Sequence, residues 1–510
     1  MRVALAQINT QVGDLEGNID RCLDAIEVAR SQDAALVVLP EMAVPGYPPR
    51  DILFDPSFVE AVSAATTDLA HRTRGGPPVV VGTLMPADFQ PPGHPGLQNA
   101  AVYLRDGEVR LVAAKRLLPA YDVFFEPRWF RPGPMVPPVT IGGKQVGFVV
   151  CEDLWDEGHE LHPGAELRAA GAELLVCLAA SPYHNQILKQ RLFHARRQQA
   201  PLLYVNLCGG NDELVFDGRS FAIDKNGHVT ALLAAFEEEV RVVDLEDARP
   251  ISADDEVPEE QLYRALVLGV RDFARKNRLE RAFLGLSGGI DSSVVAAIAA
   301  EAMGPAHVTA VTIPSRYTDP RSTTCARELA QALGIRLDVV ELERLHGAAE
   351  ETLGDLLGEG TTAENVQARL RAMILMSFVN RYGGLLLNTS NKTELTLGYA
   401  TIYGDMAGTL CPIADVPKPE VVALARWLNS GRNLIPAFTL ERPPTAELRP
   451  GQVDPFDYAR VAPSMERLVQ QNRSDETMRR SEHKRWQMGV ILKVSQKAFG
   501  TGRLIPITRR

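Results

Sequence analysis

A glycine-rich hexapeptide, Ser287-Gly-Gly-Ile-Asp-Ser292, stands between an apolar run at 282–286 and an alanine- and valine-rich run at 293–302. The first run predicts a buried strand and the second a helix. A turn of this kind directs free backbone N–H groups and the positive end of a helix toward a phosphate, and its glycines allow a close approach. Asp291 by itself would repel a phosphate, which implies a bridging cation such as Mg²⁺. The hexapeptide therefore predicts a phosphate-binding loop.

The hexapeptide differs from two common nucleotide-binding loops. It lacks the lysine of G-x-x-x-x-G-K-[ST] and the spacing of G-x-G-x-x-G. It resembles instead the pyrophosphate loop of ATP pyrophosphatases, which split ATP into AMP and pyrophosphate. That resemblance implies ATP contacts from Ser287, Gly288, Gly289, Asp291 and Ser292. The structural alternative is a serine and glycine turn that only caps a helix.

In the first half of the chain, three polar residues directly follow apolar runs that predict strands. They are Glu41, Lys115 and Cys151. Strand ends are where α/β folds place chemistry, because the sheet holds them rigidly. A thiolate is a nucleophile, a carboxylate can take its proton, and an ammonium can stabilise a tetrahedral intermediate. Composition alone does not link the three residues.

The sequences around these residues are Leu-Pro-Glu41-Met, Lys115-Arg-Leu-Leu-Pro and Val-Cys151-Glu-Asp-Leu-Trp. They resemble the motifs of the nitrilase, or carbon–nitrogen hydrolase, superfamily over about residues 1–244. The resemblance implies a four-layer αββα sandwich, with Glu41 as general base, Lys115 as stabiliser of the intermediate and Cys151 as acylated nucleophile. It implies that the residues contacting glutamine are Tyr47, Tyr121, Glu126 and Ser181. For Cys151 alone, and for the other five cysteines, the alternative is a buried thiol that only packs.

The elements that must position these residues differ between the two halves. The first half is dominated by predicted strands, at 2–8, 34–39, 79–81, 101–104, 109–113, 146–150, 174–178 and 202–207, with a helix at 18–29 capped by Asn18. In the second half, helices at 262–273, 293–302, 321–333 and 365–382 alternate with strands at 282–286, 308–313, 337–342 and 385–388. Repeated βα units predict a doubly wound parallel sheet, which binds ligands at the carboxyl ends of its strands. The acidic, proline-containing stretch 245–260 predicts a linker between domains 1–244 and 261–510.

Further stretches of the second half resemble the NAD synthetase signature. They are Thr389-Ser-Asn-Lys-Thr-Glu394, the segments 365–371, 398–405 and 416–419, and the closing segment 484–506, while 443–454 resembles a mobile loop over the nucleotides. Two departures are Asn388, where the family usually has glycine, and the stretch after Asp454. The resemblance implies that Asp291 and Glu394 hold Mg²⁺ and that Thr389 and Arg369 contact ATP. It implies that Asp405 and Lys418 line the site for deamido-NAD.

Taken whole, the chain resembles the glutamine-dependent NAD synthetases. The resemblance implies that ATP activates the nicotinate carboxylate of deamido-NAD as an adenylate, and that ammonia from glutamine then displaces AMP. Because ammonia is diffusible and an exposed adenylate would hydrolyse, an enclosed ammonia passage and a homo-oligomer are expected. Another glutamine-dependent ATP-pyrophosphatase amidotransferase, acting on a purine or tRNA base, and a non-catalytic scaffold remain alternatives.

Length and charge limit the partners. At about 100–200 residues per domain, 510 residues predict two to four domains. The net charge of −10 disfavours a nucleic-acid partner. The first apolar run is too short for a signal peptide, and no run is long enough to span a membrane. The scattered cysteines form no C-x-x-C pair, so a reducing cytoplasm is expected.

Overall fold

The computed structural model describes residues 1–247, 249–253, 257–358, 360–505 and 507. The chain divides into two compact units, Met1–Asn211 with Val215–Glu256, and Asp212–Leu214 with Val257–Arg510. Pro506 of the closing signature segment, and residues 248 and 254–256 of the predicted linker, lie outside the described residues.

The first unit is built around two six-stranded sheets within its described residues. Its strands are β1 (Arg2–Gln7), β2 (Leu36–Val38), β3 (Val79–Pro86), β4 (Leu97–Arg105), β5 (Glu108–Ala114), β6 (Val139–Ile141), β7 (Lys144–Val150), β8 (Leu174–Ala179), β9 (Leu202–Asn206), β10 (Cys208–Asn211), β11 (Leu214–Asp217), β12 (Phe221–Ile223), β13 (Val229–Leu232) and β14 (Glu239–Asp244). One sheet has the order β14-β1-β2-β3-β4-β5 and the other β13-β12-β9-β8-β7-β6, while β10 and β11 form a separate ribbon.

The two sheets pack face to face and carry helices on their outer sides. Strands β1 and β5 of one sheet contact β9 and β7 of the other. The helices are α1 (Leu15–Ser31), α2 (Pro56–Arg72), α3 (Pro163–Ala169) and α4 (Ile187–Arg197). Helices α1 and α2 contact the first sheet, α3 contacts the second, and apolar side chains of α4 join the same core. The predicted αββα sandwich is therefore confirmed.

Strand β8 shows why this sandwich forms. Its sequence LLVCLA is apolar throughout and every residue is buried. It pairs in parallel with β7 and β9. A continuous apolar run is typical of a parallel strand that is covered on both faces, here by the other sheet and by helices.

The prediction that Asn18 caps the first helix is wrong. Helix α1 begins at Leu15, and the Asp14 carboxylate accepts the backbone N–H of Gly17 at 3.2 Å. Asn18 lies inside the first turn and is buried, where its amide donates to the carbonyl of Val44 at 3.0 Å. Asp14, four residues earlier, caps the helix by accepting the N–H of Gly17, so Asn18 is available to tie the helix to the neighbouring loop.

The second unit is a doubly wound parallel sheet, as predicted. Its strands are β15 (Ala282–Gly285), β16 (Val308–Thr312), β17 (Arg336–Val339), β18 (Leu385–Leu387), β19 (Leu410–Cys411) and β20 (Val490–Ile491). Their order is β17-β16-β15-β18-β19-β20, and every neighbouring pair is parallel. The helices are α5 (Pro258–Lys276), α6 (Ile290–Met303), α7 (Pro320–Leu333), α8 (Glu343–Leu353), α9 (Thr361–Tyr382), α10 (Lys392–Leu397), α11 (Lys418–Leu428), α12 (Ala437–Glu441), α13 (Tyr458–Gln470) and α14 (Glu476–Ser481).

The strand order changes direction between β15 and β18. Strand β15 continues to β16 on one side, whereas β18 on its other side starts the second half of the sheet. Such a switch point leaves a crevice at the carboxyl ends of the two strands. The loop after β15 is the glycine-rich hexapeptide, and the loop after β18 contains Thr389. The topology therefore brings these two predicted ATP segments together.

Candidate active sites

Cys151 ends strand β7 in a strained backbone conformation. Its φ is +43°, in the left-handed region that residues with a side chain rarely adopt. The next residues form a single 3₁₀ turn, Cys151–Leu154. The side chain is 8% exposed. Strain of this kind persists where the surrounding structure enforces it, which is common at reactive residues.

Glu41 and Lys115 lie at the ends of β2 and β5 and are bonded to each other. The Lys115 ammonium donates to Glu41 Oε1 at 2.9 Å and to Glu126 Oε1 at 2.7 Å. Glu41 also accepts the Asn99 amide at 2.6 Å and the backbone N–H of Ala180 at 2.7 Å. These partners restrict the Glu41 carboxylate to one orientation.

The charges of this site support the chemistry that the motifs predict. Burial opposes the charge on Lys115, but Glu126 and Glu41 outweigh it and hold the pKa of the ammonium well above its usual value. Burial, followed by the nearby Glu41 charge, raises the pKa of the Cys151 thiol well above its usual value. The thiol is therefore neutral before the reaction and needs a base to become nucleophilic.

Two of the residues predicted to contact glutamine, Tyr47 and Glu126, are buried next to Lys115. Tyr47 is buried, and its hydroxyl donates to Glu126 Oε1 at 3.1 Å. Burial raises the pKa of Glu126, and Lys115 opposes that shift. Tyr47 and Glu126 thus form the surroundings of the Lys115 ammonium.

The other two predicted glutamine contacts lie in different settings. Tyr121 is exposed, and its hydroxyl donates to both carboxylate oxygens of Glu152 at 3.0 Å. Ser181 follows strand β8 and is buried, with its hydroxyl accepting from Arg191 Nε at 3.2 Å. The fully buried Arg191 also donates to the Ser181 carbonyl at 2.7 Å and forms a bidentate pair with Asp217. Arg191 therefore holds the loop that presents Ser181.

Asp153 is a further site residue that the sequence interpretation missed. Its carboxylate accepts the backbone N–H groups of Arg116 and Leu117, both at 2.9 Å, and of Val150 at 3.1 Å. Burial raises the pKa of Asp153 to about 6. These bonds join the chain just after Lys115 to the chain just before Cys151. The only sequence signal is its place two residues after the nucleophile, in the Cys-Glu-Asp triplet.

In the second unit, the glycine-rich loop is held by its own side chains. Gly288 has φ +76°, and a Cβ there would lie 2.2 Å from the carbonyl oxygen of Ser322, so only glycine fits. The Ser287 and Ser292 hydroxyls are 3.1 Å apart, and the Gly289 N–H donates to Ser287 Oγ at 3.2 Å. Helix α6 begins at Ile290, so Asp291 and Ser292 lie in its first turn, earlier than the sequence predicted.

Most residues predicted for ATP, metal and deamido-NAD line one cavity of about 320 Å³. They are Ser287, Gly289, Asp291, Ser292, Thr389, Glu394, Asp405 and Lys418. A second cavity of about 260 Å³ shares Ser287, Thr389 and Asp405 and extends between Val311, Ile313 and Leu375. The structure therefore gathers predicted residues from four separate segments of the chain, 287–292, 389–394, 405 and 418, around adjoining spaces.

Two predicted ATP residues lie outside the described linings of both cavities. The Gly288 carbonyl accepts from the Thr439 hydroxyl at 3.0 Å. Arg369 is exposed, and its Nε donates to the Ile402 carbonyl at 3.2 Å. Arg371, two residues along α9, lines the second cavity instead, and burial lowers its pKa to about 10. Which of these two arginines lines the cavity depends on which face of α9 meets the sheet.

Lys418 lies between the two carboxylates that were predicted to hold Mg²⁺. Its ammonium donates to Asp291 Oδ2 and, at 3.2 Å, to Glu394 Oε1. The Asn391 side chain donates to Asp291 Oδ1 at 2.9 Å and accepts the Glu394 N–H at 3.0 Å. Burial raises the pKa of Glu394, and Lys418 opposes that shift. Two carboxylate oxygens that share one cation, at the wall of a cavity, are the type of ligand that Mg²⁺ takes.

The predicted Mg²⁺ site offers few protein ligands. Among the described residues, no group of three or more histidine, cysteine, aspartate or glutamate side chains could hold a metal ion. Mg²⁺ commonly uses one or two carboxylates and completes its shell with water and substrate phosphates. The pair of Asp291 and Glu394 therefore fits a cation that binds together with a nucleotide.

The segment predicted as a mobile loop forms part of the cavity wall. Pro443, Pro444, Thr445, Ala446 and Asp454 line the 320 Å³ cavity. The Asp454 carboxylate accepts the hydroxyls of Tyr399 at 3.2 Å and Tyr458 at 2.9 Å. These two tyrosines attach the end of the segment to the rest of the unit.

In the part of the chain that is described, no helix has the length and apolar character needed to cross a membrane.

Comparisons with known proteins assign both halves of the chain. The carbon–nitrogen hydrolase family matches residues 2–252, and the NAD synthase family matches residues 262–499. The glutamine-dependent NAD(+) synthetase of Synechocystis sp. is 37% identical over 99% of this chain and 98% of its own length. That of Rhodobacter capsulatus is 39% identical over 100% of this chain and 98% of its own length.

A solved structure agrees with these relatives. The glutamine-dependent NAD+ synthetase of Acinetobacter baumannii, in complex with ADP, superimposes with a TM-score of 0.81 at 30% identity, covering 99% of this chain and 98% of that one. The chain belongs to the glutamine-dependent NAD(+) synthetases.

Proposed function

We propose that the chain uses ATP to convert deamido-NAD into NAD, with ammonia that the first unit releases from glutamine. The observation that carries this proposal is the cavity of the second unit, where the phosphate-type loop, the carboxylate pair and Asp405 face the same space. Such a space accepts a nucleotide and a second anionic substrate side by side. The bonded Glu41 and Lys115 in the first unit provide the second activity.

In the glutaminase reaction, Glu41 takes the proton of the neutral Cys151 thiol, and the thiolate attacks the amide carbon of glutamine. The Lys115 ammonium stabilises the negative oxygen of the tetrahedral intermediate. Glu41 returns the thiol proton to the amide nitrogen as the intermediate collapses, which releases ammonia, leaves a thioester on Cys151 and restores the Glu41 carboxylate. Glu41 then assists a water molecule that hydrolyses the thioester to glutamate. Tyr121 and Ser181 contact the substrate, whereas Tyr47 and Glu126 orient Lys115.

In the synthetase reaction, the loop at 287–292 and Thr389 bind the phosphates of ATP, and the more apolar second cavity accepts the adenine. Ser287 and Ser292 donate from their hydroxyls, and Gly289 lies at the N-terminus of α6. Asp291 and Glu394 would hold Mg²⁺, which would supply positive charge where the two anionic substrates meet. Asp405 and Lys418 contact deamido-NAD. The nicotinate carboxylate attacks the α-phosphorus and displaces pyrophosphate, and ammonia then attacks the resulting acyl adenylate and displaces AMP.

The assembly and location are further parts of the proposal. Helix α9 exposes Arg369, Met373 and Met376 along one face, and an exposed stripe with two methionines supports a homo-oligomer. The net charge of −10 and the scattered cysteines favour a cytoplasmic enzyme without a nucleic-acid or membrane partner. Sedimentation of the purified protein tests the assembly, and a monomer at micromolar concentration would contradict it.

The test of the function is product analysis by mass spectrometry. The purified chain is supplied with deamido-NAD, ATP, Mg²⁺ and glutamine labelled with ¹⁵N in its amide. We expect labelled NAD, AMP, pyrophosphate and glutamate, and no AMP when deamido-NAD is omitted. Release of ADP instead of AMP, or turnover with a purine or tRNA acceptor in place of deamido-NAD, would contradict the proposal.

A further inference from the structure

Lys418 holds the position that a divalent cation would take. Its ammonium bonds one oxygen of Asp291 and one of Glu394. The lysine side chain is only 5% exposed, whereas each carboxylate is 18% exposed and faces the 320 Å³ cavity. A cation that arrives through the cavity reaches the two carboxylates from their open side.

We propose that Lys418 is a stand-in cation that keeps divalent metal off Asp291 and Glu394 until a nucleotide is bound. In the ligand-free enzyme the ammonium neutralises the pair. When ATP arrives, the metal replaces the ammonium between the carboxylates, and the ammonium turns to the anionic ligands in the same cavity. Metal and nucleotide therefore bind together. The inference rests on the proposed function of the second unit and adds a binding order to it.

The charges explain why the exchange requires a nucleotide. Two carboxylates and one ammonium carry a net charge of −1, so a divalent ion gains little by displacing the lysine and leaving its ammonium buried without a partner. The phosphates of ATP add several negative charges to the same cavity. With those charges present, both the metal and the displaced ammonium have anionic partners.

The surroundings of Lys418 allow the ammonium to move while the backbone stays in place. Its backbone N–H donates to the Thr393 hydroxyl at 3.0 Å, at the start of helix α11. The ammonium lies 5.4 Å from the centre of the Tyr458 ring. An aromatic face attracts a cation, so the ring offers a second place for the ammonium when a metal takes the first.

The test measures binding of Mn²⁺, a paramagnetic substitute for Mg²⁺, by electron paramagnetic resonance on the full chain. The variants are K418M, which removes the charge, and K418R, which keeps it. Without nucleotide, we expect K418M to bind Mn²⁺ at least about tenfold more tightly than the wild type, because two carboxylates are left without a cation. K418R should match the wild type. The matched control is K497M, which removes a lysine that donates to the Gln470 carbonyl away from the cavity.

Second variants separate this inference from the proposed function. The gain of K418M must disappear in K418M/D291N and K418M/E394Q, because the metal then lacks one carboxylate. Thermal unfolding, together with binding of α,β-methylene ATP, establishes that K418M is folded. Wild type that binds Mn²⁺ with the ATP analogue, together with a K418M that gains nothing without it, would overturn the stand-in role alone. Absence of Mn²⁺ binding to wild type even with the bound analogue would overturn the metal assignment as well.

Discussion

Each unit of this enzyme buries a lysine between two carboxylates, but the two arrangements differ in their access to solvent. In the first unit, Lys115 is 1% exposed, with Glu41 and Glu126 at 0% and 3%. In the second, Lys418 is 5% exposed, with Asp291 and Glu394 each at 18%. Both units pair one ammonium with two carboxylates. The two arrangements differ in that the carboxylates of the second unit are partly exposed to a cavity.

This difference separates a fixed charge from an exchangeable one. Glu41 and Glu126 are almost fully buried, and we infer that the Lys115 ammonium stays paired with them, available to a tetrahedral intermediate in the proposed glutaminase reaction. Asp291 and Glu394 border a cavity large enough for phosphates, so their cation can be replaced when the charge of the cavity changes. We infer that burial decides whether an ammonium between two carboxylates stays fixed, as proposed for Lys115, or can be exchanged for a metal ion, as proposed for Lys418.

The largest effect is expected from a change of Cys151, the proposed nucleophile of the first unit. C151A should lower glutamine hydrolysis by at least about a thousandfold, because the acyl-enzyme no longer forms. Formation of NAD from added ammonium salt should continue at its normal rate. The matched control is C177A, on the neighbouring strand β8, which should keep both activities. Glutamate release by C151A would show that another group is the nucleophile.

Removing the two lysines should have unequal effects on stability. K115M leaves two fully buried carboxylates without a cation and should destabilise the first unit by about 3–5 kcal/mol. K418M should destabilise the second unit less, by about 1–3 kcal/mol, because each of its carboxylates is 18% exposed. Calorimetric unfolding of both variants, with K115R and K418R as charge-retaining controls, measures this contrast. Equal losses of stability in K115M and K418M would show that the exposure of the carboxylates does not distinguish the two lysines.

Asp291 and Glu394, the partly exposed carboxylates of the second unit, should be required for adenylate formation with either glutamine or ammonium salt as nitrogen source. D291N and E394Q should each reduce AMP and pyrophosphate production roughly a hundredfold or more, because a bound metal contributes several kcal/mol to phosphoryl chemistry. The exposed Glu328 of α7 provides the control variant E328Q, which should retain full activity. Normal pyrophosphate release by either site variant, with glutamine or with ammonium salt, would exclude that carboxylate from the metal site.

The last prediction concerns Glu152 of the first unit and its effect on how stability depends on pH. Burial raises the pKa of Glu152 from 4.5 to about 7. Between these values the folded protein binds more protons than the unfolded chain, so this group lowers stability as the pH rises from about 4.5 to 7. E152Q should therefore leave the melting temperature unchanged at pH 4 and raise it at pH 8, by the equivalent of roughly 3 kcal/mol.

The control for this prediction is E108Q, on the exposed side of strand β5, whose effect should be the same at both pH values. A gain in the melting temperature of E152Q that is equally large at pH 4 and pH 8 would show that the pKa of Glu152 in the folded protein is not raised above its value in the unfolded chain.

Local sequence predicted the strands with long apolar runs and indicated the residues proposed to carry chemistry, but it did not indicate the strands β6, β10–β14, β19 and β20. Strand β8 is apolar along its whole length, so its burial followed from composition. The glycine-rich hexapeptide required a tight turn, and the positive φ and close packing of Gly288 agree with that requirement. Cys151, Glu41 and Lys115 were recognisable because each directly follows an apolar run and lies in a distinctive motif.

Only the tertiary structure decided which of these groups meet. Lys418 bonds Asp291 across 127 positions, and Glu41 accepts from Asn99 across 58. Neither pair leaves a trace in spacing or periodicity, because the partners lie on different strands and loops that the sheet brings together. The choice of Arg371 over Arg369 for the cavity likewise depends on how α9 is rotated against its neighbours. Chemistry was thus readable from short segments, whereas the partner and exposure of each charge depended on packing between segments far apart in the chain.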